Sequence, residues 1–310
     1  MGWGEFASQC RGALSNYGLL TGSRLIVQKA VERVLSRVGR HLNYGLRPLD
    51  TEWDVLIVLD ACRADLFEEF APQHSVFEQF HDISSRHSCA STSREWFAKG
   101  FGSADDDEVA TVHYVSENPY VTNLDLDRFY DVERLWEAVP DSDTGVVQPS
   151  VVTAGALNAY DKSEADRFVV HYMPPHAPFL HCPRKYDLDN KAWGGDSHDT
   201  WFGLNEGRFD LEEVWEDYGQ NLLAVLDEVE KLITHVDGKV IVTADHGNAV
   251  GEFGVYGHPE YVPLPSLKRV PWVEAEGQGV AYDTTKFDTP NVNSDPDDAV
   301  TEKLEALGYI

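Results

Sequence analysis

The chain has 310 residues, 42% of them hydrophobic, and a formal net charge of -28 from 53 Asp and Glu against 25 Lys and Arg. An excess of this size repels nucleic acid and anionic membranes, so no polyanion recognised by the whole chain is implied. Eight Trp, 13 Tyr and 14 Phe exclude the aromatic-poor composition of a disordered acidic chain and suffice for one large core. Cys10, Cys62, Cys89 and Cys182 form no Cys-x-x-Cys pair, so nothing points to a zinc ribbon, a thioredoxin-like motif or a disulfide framework. No apolar run reaches the roughly 20 residues that span a bilayer, and no signal-type apolar core opens the chain; the expected compartment is the cytoplasm.

Residues 1–50 read as an N-terminal helical segment. Arg24 to Gly39 has apolar residues at helical spacing with basic residues on the other face. Packing on the main domain is the expected role, and peripheral contact with a membrane surface or a partner through residues 24–40 is the less favoured one. Residues 51–275 read as a catalytic domain. The run from Trp53 to Leu59 is a buried strand, and 63–70 a helix. A hydroxyl-rich loop, Ser91-Thr92-Ser93, enters another helix. Residues 109–115 read as a strand, 131–138 as a short helix, 153–159 as a helix and 167–172 as a strand. Met173 to Phe179 is a proline-stiffened loop. The 193–209 segment reads as a long surface loop, 211–232 as an amphipathic helix and 239–244 as a strand. Residues 276–310 read as an acidic linker with a helix near 298–307. Strands alternating with helices predict a three-layer α/β/α sandwich with a mostly parallel central sheet.

Two of these strands end in metal-ligand types. Asp60 follows Val55 to Leu59, and Asp245-His246-Gly247 follows Val240 to Ala244. Open α/β sheets build their sites at the C-terminal ends of strands. A lone Asp60 would read as a helix cap, but a buried Asp-His pair requires a partner. Asp60, Asp245 and His246 are therefore candidate ligands of one divalent ion; Mg, Mn, Ca and Zn all fit, with Mn or Zn favoured over Ca by the mixed oxygen and imidazole set. Each hydroxyl of Ser91-Thr92-Ser93 could cap a helix or act as a metal-activated nucleophile, and the sequence leaves the three open. His171 and His176 flank Pro174-Pro175, and Arg63 and His258 lie near the ligand segments. These four are candidate donors to an anionic ester group, with the two strand-end histidines alternatively ligands of a second ion and Arg63 alternatively an ion-pair partner.

These pieces resemble the sulfatase-like branch of the alkaline phosphatase superfamily. The resemblance rests on Val58-Leu-Asp60-Ala-Cys-Arg63, His171-Tyr-Met-Pro-Pro-His176-Ala-Pro-Phe179, Thr243 to Gly254, Gly257-His258 and Arg269-Val-Pro-Trp272, and spans residues 53–273. It implies hydrolysis or transfer of phosphate or sulfate esters through a covalent intermediate. True sulfatases use a Cys within Cys-x-Pro-x-Arg. Cys89 here lacks that Pro, and Arg94 falls five residues on. Thr92-Ser93-Arg94-Glu95-Trp96 is more similar to the nucleophile segment of lipoteichoic-acid synthase-like phosphoglycerol transferases, which implies Thr92 as nucleophile and fourth metal ligand, with Ser91 next. His258 falls where the family has a substrate-gripping Lys. The acidic composition resembles that of proteins from salt-loving archaea, where molar salt screens self-repulsion.

The expected function is therefore metal-dependent hydrolysis or transfer on a phosphate or sulfate ester, with a glycan or glycolipid among the candidate substrates. The alternative is a non-catalytic sulfatase-like protein that binds an anionic glycan or a partner protein.

Overall fold

The computed structural model describes residues 3–42, 44–138, 147–186 and 200–282. Helix α1 (Trp3–Gly39) comes first, followed by β1 (Val55–Leu59), α2 (Ala64–Phe70), β2 (Asp82–His87), α3 (Ser93–Gly100) and α4 (Asp106–Val109). Then come β3 (Val112–Ser116), β4 (Asp131–Arg134), α5 (Pro149–Tyr160), β5 (Arg167–Tyr172), α6 (Thr200–Asn205) and α7 (Leu211–His235). The last elements are β6 (Asp237–Thr243), β7 (Ala249–Val250), β8 (Tyr256–Gly257), α8 (Pro265–Lys268) and β9 (Arg269–Gln278). The main sheet has seven strands in the order β2-β9-β6-β1-β5-β3-β4. Strands β6, β1, β5, β3 and β4 are parallel, and β9 and β2 extend one edge antiparallel.

The layers follow from β1. Every residue of Val55–Leu59 is buried, and successive side chains of a strand point to opposite faces. Val55, Ile57 and Leu59 pack with Phe67 and Phe70 of α2, Val152 of α5 and Leu222 of α7. Leu56 and Val58 pack on the other side with Trp96 and Phe97 of α3. A strand apolar at every position needs helices over both faces, and this is the α/β/α sandwich read from the sequence.

Several local readings change. Residues 131–138 are not a helix. Asp131–Arg134 pairs parallel with His113–Ser116 as the edge strand β4, followed by a 3-10 turn over Leu135–Ala138. Its charged, half-exposed composition suits a sheet edge, which hides the strand from an apolar-run criterion. Strand β2, with Asp, Ser and Arg, escapes for the same reason. The 109–115 strand begins later, because Asp106–Val109 is a helical turn. Thr200–Asn205 is a helix inside the stretch read as loop. Helix α1 starts well before residue 24 and is broken at Gly18, where φ is 71° and ψ 179°. The helix read at 298–307 lies outside the described residues.

Gly219 of α7 shows how tightly one layer packs. A Cβ there would lie 2.2 to 2.4 Å from ring atoms of Phe70, which is 2% exposed. Gly219→Ala should therefore destabilise the fold by about 1–3 kcal/mol through overpacking, although Ala is the better helix former. Urea unfolding reads this as a lower midpoint at unchanged slope. A midpoint at or above wild type would show that the Phe70 ring has room to move.

Candidate metal centre and active site

Four neighbouring parallel strands deliver the site at their C-terminal ends. Strand β1 lies between β6 and β5, and β3 lies beyond β5. Asp60 leaves β1, Asp245 and His246 follow β6, His171 is near the end of β5, and Asn118 follows β3. All five side chains are buried, and Asp60, His171, Asp245 and His246 have no exposed surface.

Asp60 Oδ2 accepts from Asn118 Nδ2 at 2.6 Å and from Ser93 Oγ at 3.1 Å. Its Oδ1 is 3.7 Å from His246 Nε2. Asp245 Oδ1 accepts the backbone N–H groups of Ala61 at 3.0 Å and His246 at 2.8 Å. Its Oδ2 lies 3.4 Å from His246 Nε2 and 3.9 Å from His171 Nε2. The chain turns sharply between these groups: Ala61 has a φ of 60° and receives the Tyr218 hydroxyl on its carbonyl. Such left-handed geometry at a non-glycine residue is strain that persists where the surroundings over-determine it. Gly247 is needed for close approach, since a Cβ there would lie 2.4 Å from the Ser266 carbonyl oxygen.

The imidazoles are oriented from behind. His246 Nδ1 donates to the Gly247 carbonyl at 2.9 Å, which leaves the Nε2 lone pair facing the carboxylates. His171 Nδ1 contacts the Tyr114 hydroxyl at 2.9 Å, and its Nε2 points to Asp60 Oδ2 at 3.5 Å. Two buried atoms, His171 Nε2 and Asp245 Oδ2, have no hydrogen-bond partner. Ligand atoms of Asp60, His171 and Asp245 all lie within 4.8 Å of one another. Two buried carboxylates, with the unpartnered oxygen of Asp245 beside the unpartnered His171 Nε2, fit a divalent cation, because like charges in a buried site require an opposing one. Burial alone would raise the Asp60 carboxyl pKa, but the imidazoles of His171, His176 and His246 hold it below the ordinary range.

The hydroxyl loop resolves into three roles. Thr92 is the N-cap of α3, with Oγ1 accepting the Glu95 N–H at 3.1 Å. Ser91 Oγ bonds the buried Glu95 carboxylate at 2.9 Å and the Pro259 carbonyl at 3.0 Å. Ser93, the first helical residue, turns its Oγ to the cluster, 3.1 Å from Asp60 Oδ2 and 3.3 Å from His246 Nε2. Of the three hydroxyls, Ser93 Oγ is the one that reaches Asp60 and His246, and the Thr92 hydroxyl is engaged by the helix end. Cys89 is buried, and burial pushes its thiol up to about 12.

The remaining candidates divide. His176 and His258 meet, Nε2 to Nε2, at 3.0 Å, and the His258 ring lies 4.8 Å from that of His246. Burial lowers the pKa of both His176 and His258, and neighbouring imidazoles lower them further. Arg63 does not point at an anion. It forms a two-point ion pair with Asp65 at 2.6 and 2.8 Å and bonds Glu252 and the Asn248 carbonyl, each at 2.7 Å. Its role here is to tie the 248–252 turn to the start of α2. His171 sits against the carboxylates, in place of the substrate-binding position expected for it. Asn118 and Tyr114 were not read from the sequence. Their signal is position: both belong to the strand beside β5 and its C-terminal continuation.

No protein-family model and no curated protein matches the chain. Solved structures do. The soluble domain of lipooligosaccharide phosphoethanolamine transferase A from Neisseria meningitidis is similar with a TM-score of 0.51 and 15% identity, over 76% of this chain and 80% of that one. The integral membrane form of that transferase gives 0.52 at 15% identity over 89% of this chain, which spans 59% of the transferase. A protein in the alkaline phosphatase superfamily from Vibrio parahaemolyticus gives 0.42 at 11% identity over 85% of this chain and 71% of that one. At these identities the likeness is one of fold.

If the cluster holds a divalent ion, the purified chain should carry about one ion, and Asp245→Asn should lose it. Chelation should lower the thermal midpoint of the wild type, because binding to the folded state alone adds stability. Elemental analysis and melting with and without chelator check both. Equal metal content in wild type and Asp245→Asn would exclude this cluster as the binding site.

Proposed function

We propose that this chain is a metal-dependent enzyme of phosphoryl transfer, hydrolysing a phosphate ester or passing the phosphoryl group to an acceptor hydroxyl, with Ser93 as nucleophile. The observation that carries this reading is the Ser93 Oγ, buried at the first turn of α3 and within 3.3 Å of both Asp60 and His246. A divalent ion bound there supplies Lewis acidity, which favours an ionised hydroxyl and neutralises charge on the phosphoryl group. The reading is further supported by the fold likeness to a phosphoethanolamine transferase.

The chain's own groups complete the chemistry. The Ser93 hydroxyl donates to Asp60 Oδ2, which aims an oxygen lone pair away from the carboxylate. The Ser93 hydroxyl passes its proton to Asp60 Oδ2 as Oγ bonds to phosphorus and the ester P–O bond breaks; the electron pair leaves on the ester oxygen, which takes up that proton or one from water. Water or an acceptor hydroxyl then attacks the phosphoserine and frees Ser93. The N-terminus of α3 favours the anionic group beside Ser93. His176 Nδ1 donates to the Ala177 carbonyl, and His176 and His258 face each other Nε2 to Nε2. Burial lowers the pKa of both, and the pair is placed to hydrogen-bond a phosphoryl oxygen or the leaving group. We take residues 51–275 as the catalytic unit and a phosphate ester borne on a lipid or glycan as the substrate class.

We also propose adaptation to high salt. Unscreened repulsion at a net charge of -28 opposes the compact state. The thermal midpoint should rise between low salt and molar KCl, and a midpoint indifferent to salt would remove this part of the reading.

Ser93→Ala should lower turnover of aryl phosphate esters by about a thousandfold or more, with folding retained. Thr92→Ala should cost about 1 kcal/mol of stability through the lost cap, with activity reduced far less. Cys89→Ser should leave activity near wild type. If Thr92→Ala abolishes turnover while Ser93→Ala retains it, the nucleophile is Thr92.

A further inference from the structure

Helix α1 is apolar on two sides. One side packs inward: Leu25 is buried, and a side chain at Gly39 would collide with the Tyr261 carbonyl. On another side Leu20, Val27 and Val34 recur every seven residues and are 89%, 61% and 63% exposed. Val31 and Val38, each four residues further on, share that face. An amphipathic helix that only covers a core would show solvent a polar face. Arg24, four residues after Leu20, interrupts this face, and the exposed apolar side chains around it mark a surface made for contact.

Charge says what kind of contact. Residues 1–42 hold six Lys and Arg against two Glu, whereas the remainder holds 19 against 51. Arg11 and Arg37 are exposed on this helix. The apolar row thus runs along the one basic stretch of an acidic chain. Two such helices face to face would set like charges together, which disfavours pairing with a second copy. An apolar surface bearing anions satisfies both the row and its flanks. Among the described residues no helix is long and apolar enough to cross a membrane.

The same helix also borders the segment that carries His258. Gly254 packs against the Gln28 side chain, and its neighbour Phe253 is 76% exposed. Phe253 stands five residues before His258. Arg40 lies over the Tyr261 ring at 4.6 Å, and the Tyr261 N–H bonds the Glu95 carboxylate that organises the Ser91 loop.

We propose that the Leu20–Val38 row of α1, together with Phe253, seats the chain on an anionic lipid bilayer. The apolar side chains would enter the boundary between headgroups and acyl chains, and Arg11 and Arg37 would meet lipid phosphates. This seating does not rest on the phosphoryl-transfer reading.

The test is flotation of the full chain with vesicles, at the lowest KCl that keeps it folded. Vesicles containing phosphatidylglycerol should carry the chain, and vesicles of phosphatidylcholine alone should not. Added KCl should weaken binding. Val27→Asp combined with Val34→Asp should reduce binding about tenfold or more. Arg37→Glu should reduce it about fivefold for each unit of charge changed. Circular dichroism should show both variants folded, since the altered side chains are exposed, and turnover of a soluble aryl phosphate should be unchanged. The proposal is overturned by absence of flotation with phosphatidylglycerol, or by Val27→Asp/Val34→Asp binding as wild type does. It is equally overturned if light scattering without vesicles finds a dimer that this variant abolishes, which would make the row a self-association face.

Discussion

Two carboxylates held side by side without water are the constraint on which this molecule is built. Strands β1 and β6 pair so that Val58 lies opposite Thr243. Two residues further along each strand stand Asp60 and Asp245, both with no exposed surface. Bringing two anions into a dry interior is costly unless each finds donors and a counter-charge. Much of the surrounding architecture answers that requirement. Backbone N–H groups of Ala61 and His246 satisfy one oxygen of Asp245, and the Asn118 amide and the Ser93 hydroxyl satisfy one of Asp60. What these donors leave open is the space toward which His171 and His246 turn their Nε2 atoms.

The parallel sheet makes the convergence inexpensive. Its strands end at one edge, so each contributes a side chain from the first residues past its last ladder bond, and no long loop must be ordered to bring ligands together. Strand β3 acts one layer further out. Tyr114 touches His171 Nδ1, and Asn118 reaches Asp60 across β5. The strained turn at Ala61 belongs to the same arrangement, because an ordinary backbone there would not aim its N–H at Asp245.

The sandwich was legible because β1, β5 and β6 each carry an uninterrupted apolar run and end in chemically distinctive residues. Asp60, Asp245 and His246 could be picked out for that reason, and the structure brings them together. The edge strands β2 and β4 were hidden because an edge has one covered side and its sequence is charged. Three consecutive hydroxyls could not be sorted from sequence, because one residue of rotation along a helix start decides whether an oxygen caps the helix or faces the sheet. The sequence leaves Arg63 open between two roles for a related reason. Its sequence position near Asp60 is real, but its donors are claimed by Asp65, Glu252 and Asn248, partners that only the tertiary fold brings within reach.

That arginine bears on how the site can open. The four residues Asp60 to Arg63 touch both halves of the segment running from Asp245 to His258: Ala61 grips its start through Asp245, and Arg63 grips its middle through Asn248 and Glu252. The segment is fastened at two points to one short corner of the chain. A swinging motion of its first half would have to break several charge-assisted hydrogen bonds together, each stronger than a neutral one. The turn from Asp245 to Glu252 is therefore pinned to the start of α2 and moves only with it.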